Sequence, residues 1–413
     1  MARSPGKAGD QTMAFEALRG WTSQQKHAVA ATFFAWATDI FDYFVLVFVL
    51  RDVAAEFGVS LTEVAFATTL TLAMRPVGAF IFGRLADRYG RKRVLIADIA
   101  LYSGFALATA FAPNIFIFLL IRTLFGVAMG GIWGVGASLA FETIKTESRG
   151  FASGLLQAGY PTGHLLASAA YALSYTSIGW RGLFALGAVP GVLVIIYMAT
   201  AVKESPVSSS PTRSSVSTIE VLRSHWKLVV YGVLLMTGFN FFAHGTQDLY
   251  PTFLQKQHGL SPEIVGTIGV IYGIGAVIGG VTFGSMSQVW GRRRTIIIMS
   301  LVSVPVAFLW AYAPTIATLA ITSFLMQVCV QAAFGVIPAH LNELAPKGAR
   351  ATFPGTVYQL GNLIAAINLP LQVAIAERYD YSMALVTIAV ASALWIAVFI
   401  YFGREARETD MTA

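Results

Sequence analysis

Gly83-Arg-Leu85-Ala-Asp87-Arg88-Tyr-Gly90-Arg91-Lys92-Arg93 is a charged stretch set between two apolar runs, 61–83 and 92–112. The same frame returns 201 residues later as Gly284-Ser-Met-Ser-Gln288-Val-Trp-Gly291-Arg292-Arg293-Arg294. That fixed separation also relates Pro113 to Pro314, Glu142 to Glu343, Arg149 to Arg350 and Gly154 to Gly355. Identities at one shift, falling at equivalent turns and helix ends, mark an internal duplication of the kind built into two-bundle membrane proteins. Working outward, the chain has 413 residues, of which 56% are hydrophobic and 12% charged, with a mean hydropathy of +0.67. A soluble globular domain does not have this composition.

Twelve apolar stretches are expected to cross a bilayer: 25–50, 61–83, 92–112, 115–140, 150–175, 181–201, 227–253, 263–284, 294–313, 315–338, 351–376 and 382–403. In lipid the backbone must satisfy its own hydrogen bonds, so these runs are helices. The expectation is an all-α membrane protein of twelve transmembrane helices in two pseudo-symmetric six-helix bundles, 24–202 and 227–403. A tail over 1–23, a Ser/Pro-rich linker over 203–226 and a tail over 404–413 are expected on the cytoplasmic side. The net charge of +7 does not point to nucleic acid, because most of the 28 Lys and Arg fall on that side once both termini are placed there. Residues 1–23 carry no apolar core, so the first span is expected to serve as a permanent signal anchor in the plasma (bacterial inner) membrane. Gly126, Gly130 and Gly134, and likewise Gly275 and Gly279, recur every four residues and suit close helix packing.

Within the seventh span, Asn240-Phe-Phe-Ala243-His244-Gly-Thr246-Gln247-Asp248-Leu-Tyr-Pro-Thr252 interrupts the apolar pattern. At 100° per residue, Asn240, His244, Gln247 and Asp248 share one helix face. Ionisable groups at membrane depth cost about 2.5–3.5 kcal/mol each on insertion scales, so such a face requires a partner or a task. Elsewhere the sequence has no metal-ligand spacing, no nucleophile elbow and no phosphate loop, and its single Cys329 forms no intrachain disulfide. Enzyme chemistry is therefore not expected, and the only implied co-reactant is a transported proton.

The Gly83 to Arg93 stretch resembles the signature of the major facilitator superfamily, and the twelve spans and the duplication extend that resemblance to the whole chain. On this basis the two glycines permit a tight turn, and Asp87 with Arg88 latches the cytoplasmic side. Gln288 replaces the acid in the second copy, which weakens that latch. Glu142 and Arg149, with Glu343 and Arg350, are expected to form gating ion pairs, and Arg91, Lys92 and Arg93 to anchor topology. The seventh-span motif resembles that of the Jen-type lactate and pyruvate permeases in the sialate:proton symporter group, with Ala243 where that pattern has a hydroxyl. Arg75-Pro-Val-Gly-Ala, Phe125 to Gly131 and Gly355-Thr-Val-Tyr-Gln359-Leu-Gly-Asn362 are similar to that group as well.

The resemblance implies a monomeric transporter of a small monocarboxylate anion with a proton, such as lactate or pyruvate. A larger organic acid, or a sensor without flux, is the alternative. Antiport is disfavoured because Gly159-Tyr160-Pro161-Thr-Gly163-His164 lacks the Gly-Pro and paired glycines of the antiporter motif, and a sensor because the tails are short. Arg75, deep in its span, suits the substrate carboxylate, since arginine binds carboxylates bidentately and keeps its charge; the alternative is an ion pair with Asp39 or Asp42. Arg122 is a second candidate, or a helix-end residue that snorkels. Asn240, His244, Gln247, Tyr160, Gln359 and Asn362 complete the expected binding set, with Gln157 and His164 on the face of Tyr160. Asp39, Asp42, His244 and Asp248 are the candidates for proton coupling. The shift of 201 maps Asp39 onto Asn240, so the two are expected to face each other across the repeat, while Asp98 is expected to be structural.

Overall fold

A computed structural model describes residues 20–144, 152, 155–156, 158–204, 224–345 and 352–403. Arg149, Gly154, Gln157, Arg350, linker residues 205–223 and the tails before 20 and after 403 lie outside the described residues, as do the side chains of Asp87 and Gln288. All described regular structure is helical. The elements are α1 (Ser23–Phe57), α2 (Leu61–Tyr89), α3 (Arg91–Ala110), α4 (Ile115–Thr143), α5 (Gly159–Ala201), α6 (Trp226–Gln247) and α7 (Tyr250–Lys256). They continue as α8 (Pro262–Trp290), α9 (Arg292–Ala311), α10 (Ile316–Phe334), α11 (Ile337–Leu344), α12 (Thr352–Ala365), α13 (Asn368–Arg378) and α14 (Tyr381–Phe402).

Among the described residues, eleven helical segments are long and apolar enough to cross a membrane, where the sequence led us to expect twelve. The difference lies in α5, whose 43 residues cover the expected fifth and sixth spans. A straight helix of that length would run about 65 Å, twice the hydrocarbon thickness of roughly 30 Å. Instead two helices meet at a kink, where Gly179 takes φ 63° and ψ −175°, a conformation open to glycine.

Helix ends follow local chemistry. Thr22 and Ser60 close capping boxes with Gln25 and Glu63 at the starts of α1 and α2. The basic turns each consist of one glycine: Gly90 at φ 98° between α2 and α3, and Gly291 at φ 94° between α8 and α9. Gly83 corrects the expectation that two glycines make the first turn. It lies inside α2, which stays helical to Tyr89, so Gly90 alone reverses the chain. Just beyond, Lys92 Nζ donates to the carbonyl of Ala199 and Arg293 Nε to that of Ile400, 3.1 and 2.9 Å away. Cations thus meet the orphan carbonyls ending α5 and α14, favourable for the helix dipole.

Without a hydrophobic drive between helices in lipid, close backbone approach holds the bundle. The α2–α4 pair shows it: a Cβ on Gly126 would stand 2.2 Å from the carbonyl oxygen of Thr71, and one on Gly130 2.1 Å from that of Arg75. Gly275 and Gly279 on α8 stand equally close to α10, at 2.5 and 2.4 Å from the carbonyls of Phe324 and Val328. Gly134 departs from the expected packing role, since a Cβ there meets open space.

The halves differ in continuity. α1 runs unbroken for 35 residues, whereas the seventh, tenth and eleventh expected spans are each interrupted. In each, a proline sits four or five residues after the last helical residue: Pro251 after Gln247, Pro338 after Phe334, Pro370 after Ala365. Proline has no N–H for the carbonyl four residues back, and its ring crowds that carbonyl. The interruption after α6 falls within the polar motif.

Gly130→Ala is expected to lower stability by about 1–3 kcal/mol, because backbone must move. Gly134→Ala should be neutral or stabilising by roughly 0.5–1 kcal/mol. Thermal unfolding midpoints of the purified protein in detergent test the contrast, and equal midpoints would sink it.

Candidate functional site

The expected face of α6 is formed. Asn240, His244, Gln247 and Asp248 are all buried, none more than 4% exposed, and His244, Gln247 and Asp248 meet side chains of the other half of the molecule. Tyr43 of α1 supplies the partner that the sequence reading missed. Its hydroxyl donates to Asp248 Oδ2 at 2.9 Å and lies 3.3 Å from His244 Nδ1, which is itself 3.1 Å from Asp248 Oδ2. The single phenolic proton is committed to the carboxylate, so the network assigns a proton to His244 Nδ1, directed at Asp248 as well. Tyr43 and His244 are 201 residues apart, the same register that maps Asp39 onto Asn240, one helical turn further along. The available signal was therefore the repeat offset carried one turn beyond Asp39.

A second chain of bonds crosses the centre. Tyr160 Oη donates to Gln247 Oε1 at 2.9 Å, Gln247 Nε2 to Gln327 Oε1 at 3.4 Å, and Gln327 Nε2 to Thr246 Oγ1 at 3.0 Å. It ties α5 to α6 and α10. Gln327, fully buried, was also missed, although an amide within the apolar run of α10 was legible.

Arg75 is 1% exposed, and among the described residues it makes no hydrogen bond or ion pair. The alternative of a direct ion pair with Asp39 or Asp42 is therefore not what the structure holds. Its guanidinium lies 5.5 Å from the ring of Trp36, which packs on Tyr160 at 6.4 Å between centroids. Tyr43 and Tyr160 both lie within electrostatic reach of Arg75, placing it beside the crossing network. Asn240 Nδ2, Gln359 Oε1 and both polar atoms of Asn362 are buried without a protein partner. Buried polar groups are ordinarily paired, so this set holds open valences for a ligand or water.

Arg122 does not snorkel. It is fully buried, with its guanidinium 4.1 Å from the ring of Phe125 and 5.7 Å from that of Phe184. Its nearest charges are Asp42 and Asp39, so it groups with the acids of α1. Asp39, Asp42 and Asp98 are fully buried, and all six of their oxygens lack a hydrogen-bond partner.

At the basic turns each described glutamate meets an arginine of the turn itself. Glu142 meets Arg91 at 3.3 Å and Glu343 meets Arg292 at 3.1 Å. Arg91 also donates to the Ala86 carbonyl at 2.7 Å, and Arg292 to Ser287 Oγ at 2.5 Å. Arg91 is thus a buried structural cation and not a solvated topology anchor, because the helix reverses so tightly at Gly90 that its side chain turns inward. Arg88, expected in the latch, is exposed and lies over the ring of Tyr89. Arg149 and Arg350, the expected gating partners, lie outside the described residues.

The halves close on the site from both ends. Toward the end opposite the basic turns, a Cβ on Gly266 would stand 2.5 Å from Ala172 Cβ, and Gln255 Nε2 donates to the Phe48 carbonyl at 3.0 Å. Toward the basic turns, Trp133 stacks on Tyr358 at 6.1 Å. A cavity of about 10 Å³, lined by His164, Gln247 and Tyr272 among others, has room for about one water. Among the described residues, Tyr43, His244, Asp248, Tyr160, Gln247 and Gln327 converge at this centre.

Membrane-length helices around a buried polar centre shared by both halves define an integral membrane protein of the solute-carrier type. Residues 32–253 and 248–412 match the Major Facilitator Superfamily, and the chain belongs to that superfamily. A carboxylic acid transporter protein homolog of Saccharomyces cerevisiae is 28% identical, over 96% of this chain and 71% of its own length. A probable 4-methylmuconolactone transporter of Cupriavidus pinatubonensis is 29% identical, over 85% and 84% respectively. Among solved structures, the xylose transporter XylE of E. coli in a partially occluded inward-open conformation gives a TM-score of 0.78 at 16% identity, covering 94% of this chain and 100% of that one. This last likeness is one of fold. The relatives are transporters, and the protein is not an enzyme.

Tyr43→Phe is expected to lower stability by about 1.5–3 kcal/mol, the usual worth of a hydrogen bond to a charged group. Thermal unfolding in detergent measures it. An unchanged midpoint would show that Asp248 is satisfied without the phenol.

Proposed function

We propose that the protein is a proton-coupled symporter that imports short monocarboxylates, such as lactate or pyruvate, by alternating access of two six-helix halves. The observation that carries this reading is Arg75, a buried guanidinium with no anionic partner in contact, beside a network contributed by both halves. An unpaired buried cation is costly, and a bound carboxylate offsets that cost by accepting two parallel N–H bonds. Asn240, Gln359 and Asn362 supply further valences for the carboxylate or for an α-hydroxyl or keto oxygen. The relative named for carboxylic acids supports the class.

In this reading the proton is held among Asp39, Asp42, His244 and Asp248. Tyr43 keeps the His244–Asp248 pair aligned, so that gain or loss of one proton there alters the bond joining the halves. Entry and exit then require the contacts at the two ends to open alternately: Gly266 against α5 at one, Trp133 against Tyr358 at the other. The twelve spans, the plasma-membrane location with cytoplasmic termini and the monomeric state belong to the same proposal. A larger organic acid is the second reading, favoured by the relative named for 4-methylmuconolactone.

Purified protein in liposomes is expected to accumulate labelled lactate or pyruvate when the outside is acidic, and a protonophore is expected to abolish accumulation. Arg75→Ala and Asn240→Ala should each reduce initial uptake by roughly tenfold or more, at least about 1.4 kcal/mol, with the protein still folded. Uptake indifferent to the proton gradient would remove the symport reading. Preference for bulky acids in a substrate panel would shift it to the second reading, and wild-type rates in both variants would remove these residues from the site.

A further inference from the structure

The first half buries three acidic groups on α1 and α3, and Asp98 is one that the binding site does not use. Asp98 lies seven residues beyond Arg91, about 10 Å from the basic turn, whereas Asp39 lies sixteen residues beyond Ser23, about 24 Å along α1, with Asp42 one turn deeper. All three carboxyls are fully buried without hydrogen-bond partners. Asp39 and Asp42 lie one turn apart on α1, and Asp98 on α3 lies near enough to Asp39 for their charges to act on each other. Tyr102, one turn from Asp98 on the same face of α3, lies within reach of all three, and its hydroxyl is 2.5 Å from Thr38 Oγ1, beside Asp39.

Small residues make room for these acids. A Cβ on Gly131 of α4 would stand 2.2 Å from Asp98 Oδ2, and one on Gly187 of α5 2.0 Å from Asp42 Oδ1. The charged groups near the series are Arg75 from α2 and Arg122 from α4. The α5 backbone meets this region through Gly187 and Gly191, which bring no charge. Three carboxylates against two guanidiniums in a medium that solvates neither leave one negative charge over, and one proton shared among the acids makes the cluster neutral.

We propose that Asp98 is the inner station of a proton route that runs from Asp42 and Asp39 to the end of the molecule carrying the basic turns. One proton leaves the Asp39 carboxyl as the Asp98 carboxylate takes up one, so the net charge of the cluster is unchanged by the transfer. Release from Asp98 toward the basic turn, about 10 Å away along α3, then completes the passage and leaves the cluster ready to be reloaded from Asp42. The inference rests on the symport reading above and adds a residue to it that touches no substrate.

Asp98→Asn keeps the shape of the side chain and removes its proton-carrying capacity. In liposomes, the variant is expected to lose gradient-driven accumulation of labelled lactate or pyruvate by roughly tenfold or more, while exchange of labelled for unlabelled acid at equal pH stays within about twofold of wild type. Exchange requires the binding site and its movement but no net proton release. Wild-type accumulation by the variant overturns the proposal. Loss of exchange together with accumulation also overturns it, because Asp98 is then a packing residue. A wild-type protein that shows no gradient-driven accumulation sinks the symport reading itself, a result distinct from either.

Discussion

A charge held where water cannot reach it needs a counter-charge or hydrogen bonds, and this requirement organises the centre of the molecule. The structure meets it in two ways. At the basic turns, Arg91 and Arg292 are paired with Glu142 and Glu343 and bonded to the preceding helix, so those charges fasten neighbouring helices together. In the interior, Asp248 is satisfied by Tyr43 and His244, a contact that fastens one half to the other. Arg75, Arg122 and the three aspartates are instead left at longer range from one another, against aromatic rings and glycines. Groups kept so close to imbalance respond strongly to an added anion or proton.

The backbone provides the means for that response. Glycines bring α2 onto α4 and α8 onto α10 at backbone contact, which makes each pair a stiff unit. Between the halves the contacts are partly polar, such as Gln255 against Phe48 and Thr62 against Glu377, beside the close approach of Gly266 to Ala172. Prolines interrupt helices of the second half where the first half has the continuous α1. The side carrying the motif from Asn240 to Thr252 is thus the one whose helices are already divided. Freed carbonyls near these breaks are taken up by side chains, as where Gln372 donates to the carbonyl of Gly245 at 2.7 Å.

Much of this was legible because membrane solvent simplifies the code. Twenty-residue apolar runs have few alternatives to a helix, and a polar face within one must point away from lipid, so the seventh-span motif announced a buried site. The offset of 201 identified the equivalent positions Arg91 and Arg292, or Glu142 and Glu343. It did not reveal that each arginine pairs with the glutamate of its own half, since that depends on how sharply Gly90 and Gly291 turn the chain. Arg88 and Arg91 are three residues apart and chemically alike, yet one lies in solvent range and the other inside.

What the sequence alone determined is the helical membrane class, the repeat of residues at an offset of 201 and the polar face of the seventh span, since each follows from local hydropathy, spacing or repetition. Only the tertiary structure decided partnership: Tyr43 on Asp248, Gln327 on Thr246, Arg75 near but not bonded to the acids, and Tyr102 on Thr38. Those relations join residues 33 to 205 positions apart, and their geometry is fixed by helix tilt and by glycine contacts between helices. No local pattern encodes such distances, because each is the sum of packing choices made throughout the bundle.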